Sequence, residues 1–105
     1  MANPTSLSLT IEPSYIVRPG ATYGLSGTLT DTRHSRPVAS EPIIFENGDG
    51  IPPINSVRTN NSGNFRVSGL LAPTTVGDYN LQARFNGGHG YDPSKSLVIT
   101  LRVLT

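Results

Sequence analysis

Two histidines, seven acids and one lysine are the side chains with chemistry to offer here, and their spacing limits what they could do. His34 and His89 each stand in a polar run beside Gly, Ser or Arg. A zinc site needs several convergent ligands, with a His pair or cysteines among them, and the chain has no Cys. Both are therefore expected as loop histidines facing solvent. No Gly-x-Ser-x-Gly sequence is present, and no acid falls at a predicted strand end where it could orient an imidazole, so nucleophilic catalysis is not expected. Glu46 and Asp49 share one turn, where acids serve local hydrogen bonding rather than a paired-carboxylate mechanism.

Asp31, Glu46, Asn47, Asp49, Asp78 and Asp92 all fall at predicted turns. Oxygen ligands on loops are what Ca²⁺ takes, so Ca²⁺ is the one cofactor this set suggests. The Asp-x-Asn-x-Asp spacing with a distal Glu is missing, and the expectation is turn formers with no bound cofactor. Lys95 could form an amide cross-link only with an Asn on an adjacent strand and a buried acid between them. It lies in a polar run before the last strand, and no predicted strand offers an inward acid, so none is expected. Asn60-Asn61-Ser62 is an N-glycosylation acceptor pattern, although Asn at a turn needs no glycan to explain it. The remaining candidates are loop tips. Asn86, His89 and Tyr91 could contact a sugar or a partner protein, with His89 and Tyr91 as the flat side chains. In the structural reading, Tyr91 packs over its own loop and Pro93 fixes the start of the following strand.

The elements that position these residues are strands. A length of 105 residues suits one domain over 1–105, and eleven Gly with nine Pro, spread along the chain, suit short strands and turns. Nothing repeats at i, i+3, i+4 and i+7 over three turns. A net charge of +1 without a basic cluster is not the footprint of a nucleic-acid binder, and no run approaches the length of a membrane-spanning helix. Zero Cys fits the cytosol and also surface proteins that avoid thiols. Met1-Ala2-Asn3-Pro4 carries no signal peptide, and an excised domain of a longer protein is expected.

Period-two alternation is clearest at the end of the chain. Residues 79–85 alternate without a slip, residues 86–90 must turn, and Leu97, Ile99, Leu101 and Val103 then share one face. Earlier strands are read at 5–11, with Leu7, Leu9 and Ile11 inward, and at 21–30, with Tyr23, Leu25 and Leu29 on one face. Tyr15 to Arg18 is expected to resume pairing on the opposite sheet. Gly24 and Gly27 suggest a bulge or a close backbone approach. Residues 31–40 read as a loop, 43–45 as a third strand, 56–59 as a fourth, and 60–63 as a tight hairpin turn into a fifth at 64–69. The predicted core is Leu7, Leu9, Ile11, Leu25, Leu29, Ile43, Phe45, Phe65, Val67, Tyr79, Leu81, Phe85, Leu97, Ile99 and Leu101. Leu25 is expected to face Leu81. These elements make an all-β, Greek-key sandwich of about seven strands in two antiparallel sheets. The first, second, fourth and fifth strands form one sheet, and the third, sixth and last form the other.

Gly77-Asp78-Tyr79-x-Leu81-x-Ala83-x-Phe85-x-Gly87, followed by Tyr91-x-Pro93-Ser94-x-Ser96, resembles the end of the bacterial and archaeal Ig-like repeats of cell-surface proteins. Thr59-x-x-Ser62-Gly63-x-Phe65 is similar to a hairpin of the same repeats, with Asn60 where Asp is usual. Tyr79 suits a tyrosine corner, and Leu81 stands where antibody domains carry their second cysteine. The resemblance implies an Ig-like β-sandwich that works without catalysis, as a tandem spacer or adhesion module, extracellular or at the cell surface. Its implied partners are neighbouring domains of the same chain, with a surface protein or glycan beyond them. The alternatives are a carbohydrate- or protein-binding domain acting through loop tips, or an accessory domain of a larger secreted enzyme.

Overall fold

A computed structural model describes residues 2–12, 14–47, 51 and 54–105. Among the described residues, strands are the only regular secondary structure. Alternating Thr, Leu, Ile and Phe positions give pleated segments with one apolar face, and Gly and Pro punctuate them. In chain order these are β1 (Thr5–Leu7), β2 (Thr10–Glu12), β3 (Ile16–Val17), β4 (Thr22–Asp31), β5 (Arg36–Pro37) and β6 (Pro42–Asn47). Then follow β7 (Val57–Arg58), β8 (Asn64–Leu71), β9 (Gly77–Phe85), β10 (Ser94–Lys95) and β11 (Ile99–Val103).

Two sheets pack face to face. In the first, β4 is the central strand, with β1 and β2 along one edge and β5 and β8 along the other. The second runs β3-β11-β9-β6-β7, and β10 continues the edge of β9. The chain changes sheet between β2 and β3, as expected for residues 15–18. The β3–β11 pair is parallel, a correction to the expected pair of wholly antiparallel sheets. A second correction concerns the fourth strand. β7 pairs with β6 in the second sheet and not with the strands of the first. The turn at 60–63 therefore arches from one sheet to the other instead of closing a hairpin.

The core lies between the sheets. Leu25, Leu29 and Phe65 come from the first, and Ile43, Phe45, Leu81, Phe85, Leu101 and Val103 from the second. Leu25 and Leu81 are both fully buried in this one cluster. Ile11, Val67, Tyr79 and Ile99 are half-buried and pack against it. Val38, Ile51, Ala72 and Ala83 are buried without any sequence expectation, and Tyr23 and Val103, which alternation puts on the apolar faces, are buried too. Residues 31–40 are not only loop, because β5 turns back along the end of β4 and brings Val38 inward.

Leu97 is the largest correction: it is 86% exposed. The cause is a count of residues. Lys95 pairs with Arg84 and Ile99 with Leu81, so four steps on the last strand oppose three on β9. One extra residue reverses which face each position takes. Ser96 points inward instead of Leu97. Its N–H donates to the Ala83 carbonyl at 2.9 Å, and its hydroxyl accepts from the Ala83 N–H at 2.9 Å. A smaller irregularity falls between Tyr23 and Leu25, where Gly24 lets β8 come close: a Cβ there would sit 2.8 Å from the Val67 carbonyl oxygen. At the other end of β9, the Tyr79 hydroxyl donates to the Thr75 carbonyl at 2.7 Å.

Candidate functional site

β9 ends at Phe85 and β4 ends at Asp31, both at one pole of the sandwich. There the loop 86–91 meets the loop after β4 and residue Asn3, which bridges to Tyr91. The two histidines lie in these loops, and each binds a buried carboxylate. His89 Nδ1 is 2.7 Å from Glu41 Oε1 and 3.3 Å from Oε2. His34 Nδ1 is 3.1 Å from Asp31 Oδ2. The rings remain 82% and 49% exposed, whereas the acid side chains are 6% and 4% exposed. Acids are thus placed at strand ends to orient both imidazoles, which corrects two sequence expectations: that no acid does so, and that no acid turns inward. Asp31 ends β4, and Glu41 directly precedes β6.

A buried carboxylate must be bonded or it opposes folding. Asp31 meets that demand with two local bonds and one distant one: Oδ1 accepts from the N–H groups of Arg33 (2.9 Å) and His34 (3.2 Å), and Oδ2 from the Asn3 amide (3.2 Å). Burial pushes the Asp31 carboxyl up. The hydrogen bonds from the His34 ring and from the two N–H groups, with the His34 charge, outweigh burial and hold it below the ordinary 3.8. A carboxyl lowered on folding contributes stability above its unfolded pKa and loses it as pH falls through the folded one. The melting temperature should therefore fall on acidification below pH 3.8, and Asp31→Asn should make that acid limb shallower. Identical limbs for the two proteins would remove Asp31 from this role.

Glu41 is held differently. Its N–H donates to the Thr59 hydroxyl at 3.0 Å, its carbonyl accepts from the Thr59 N–H at 3.0 Å, and its carboxylate meets the distant His89. His89 reaches it from a left-handed backbone (φ 54°), a conformation His tolerates better than most residues. The loop is closed by reciprocal bonds of 3.0 Å between Gly88 and Tyr91. Tyr91 is half-buried and packs against the core cluster, while Asn86 and His89 are exposed.

The other candidates do not converge. Asp78 pairs with Arg102 (3.0 Å), and Glu46 pairs with Arg84 (2.8 Å) and lies 3.9 Å from Lys95. Asp92 gives its N–H to the Asn3 carbonyl. Asp49 and the side chain of Asn47 lie outside the described residues. Among the described residues, no three His, Asp or Glu side chains gather as a cation site would need. Asn60 is exposed, and its Oδ1 accepts from the N–H groups of Ser62 (2.9 Å) and Asn64 (3.0 Å), the work of a turn former. A groove of about 570 Å³ is lined by Leu9, Ile11, Tyr15 and Ile99, away from both histidines.

Sequence reading missed Glu41 and Asn3. Glu41 stands alone in a polar run, 48 positions from its histidine, and no local pattern joins them. The arrangement fixes two imidazoles and two loops. Among the described residues, neither ring has a hydroxyl within hydrogen-bonding distance that could serve as a nucleophile. No protein-family model matches the chain, and a search of curated proteins finds no match.

Proposed function

We propose that this domain is an Ig-like, non-catalytic spacer or adhesion module of a cell-surface or secreted protein. The parallel β3–β11 pair carries the reading. Arg102 N–H donates to the Tyr15 carbonyl at 2.7 Å and Leu104 N–H to the Val17 carbonyl at 2.9 Å. Asn3 lies by the loop that follows β9, and Leu104 by the start of β9, so the two ends of the described chain fall at opposite poles of a body 48 Å long and 22 × 19 Å across. Tension between the poles would load the parallel bonds together, in shear. The Tyr79–Thr75 bond and the division of the first strand between sheets add support, since both suit an Ig-like sandwich.

Force spectroscopy on the domain between two handles tests the proposal. Val17→Pro removes a backbone donor from β3. Losing about 1 kcal/mol of hydrogen bonding there should raise the forced-unfolding rate several-fold. The same unfolding force in variant and wild type would rule out β3–β11 as the load-bearing element.

A binding role through loop 86–91 is the second reading, favoured by the Glu41–His89 bond that pre-shapes the loop. Glycan-array or pulldown signal lost in His89→Ala but kept in Leu71→Ala would support it; equal signal in both would count against it.

A further inference from the structure

Residues 3–5 lie across the seam between the sheets, and they are held mainly by loops. Asn3 N–H donates to the Gly90 carbonyl at 2.8 Å, and Asp92 N–H returns a 2.8 Å bond to the Asn3 carbonyl. The Asn3 side-chain amide crosses to the buried Asp31, at 3.2 Å from Oδ2. The Pro4 carbonyl accepts from the Thr32 N–H (3.0 Å) and hydroxyl (3.2 Å). The Thr5 hydroxyl lies 2.9 Å from the Asp92 carbonyl and 2.8 Å from the Ser94 hydroxyl.

From the receiving side this is a slot. One wall is residues 31–32, from the end of the first sheet; the other is residues 90–94, from the second. Each wall presents backbone groups that only an extended segment can meet, and the buried carboxylate calls for a side-chain donor at the first position. The second position is asked for a carbonyl, and Pro, which has no N–H to leave unbonded, satisfies it. The third is asked for a hydroxyl. Asn3 and Thr5 are half-buried and Pro4 is exposed, so polar bonds rather than apolar burial hold the segment in place.

We infer that this slot is a peptide-recognition site, occupied by the chain's own Asn3-Pro4-Thr5, that accepts an extended segment of the same Asn-Pro-Thr chemistry in trans once this strap is detached. Backbone pairing gives the affinity and the Asn–carboxylate contact the selectivity, as in other modes of strand addition. The inference does not depend on the spacer reading.

Amide hydrogen exchange on the 105-residue chain tests it. Asn3→Pro removes both the N–H and the side-chain donor while leaving β1 in place; Asn3→Asp, which sets a second carboxylate against Asp31, is the companion variant. Exchange at Asp92 and Thr32 should accelerate about tenfold, with Leu25 and Leu81 amides unchanged, as expected for local opening. An acetylated Ala-Asn-Pro-Thr-Ser peptide at millimolar concentration should restore protection at Asp92 and Thr32, and the same peptide with Ala for Asn should not. Unchanged exchange in both variants, acceleration spread over the whole domain, no rescue, or equal rescue by the two peptides would each overturn the inference.

Discussion

Replacing Leu81 with Ala should destabilise the domain by about 2–5 kcal/mol, a large part of the 5–15 kcal/mol typical of a domain's total. Leu81 is 1% exposed at the middle of β9, between Ile99 on β11 and Asn47 on β6. It belongs to the same cluster as Leu25 of the other sheet, so truncation leaves a cavity that two hydrogen-bonded layers cannot easily close. Leu97→Ala is the matched control. It removes the same atoms from a side chain that is 86% exposed and should change stability by no more than about 0.5 kcal/mol. Urea denaturation midpoints check both. Similar losses in the two variants would contradict the reversal of faces at Ser96, and an unchanged midpoint for Leu81→Ala would contradict the core itself.

Gly27→Ala should be the second large effect. A Cβ at this position would collide with the Ser8 carbonyl oxygen and come within 2.5 Å and 2.8 Å of two Phe65 ring atoms. Neither can withdraw cheaply. Ser8 is fixed to β4 through its N–H to the Thr28 carbonyl (3.0 Å) and through its hydroxyl, which accepts from the Thr28 N–H (2.9 Å); Phe65 is 4% exposed in the core. Overpacking of this kind costs about 1–3 kcal/mol, and contact with immobile backbone puts it at the upper end. The loss should appear as a lowered denaturation midpoint with an unchanged slope. A variant as stable as wild type would mean that the first strand does not cross Gly27 so closely.

Gly27 also shows how far a sequence can be read. Glycine within a strand signals close approach, and that reading holds at both Gly24 and Gly27. Which backbone approaches is another matter: Ser8 and Val67 come from segments on opposite sides of β4. Similarly, Tyr15 to Arg18 reads as a renewed strand, but its parallel match to Arg102 and Val103 depends on where the end of the chain lies.

The sequence alone determined the class of fold, because a side-chain period of two admits one wet and one buried face and therefore layered sheets. It also marked Leu25, Leu29, Ile43, Leu81, Phe85 and Leu101 as interior, since alternation is a local property. Tertiary structure alone decided what depends on distant segments meeting. A single inserted residue turned Leu97 outward and Ser96 inward, and β7 joined β6 instead of the first sheet. Glu41 found His89 across 48 positions, and Asn3 found Asp31 across 28. Local patterning fixes the face a residue shows; the burial of a lone carboxylate and the partner that satisfies it are fixed only when the layers close.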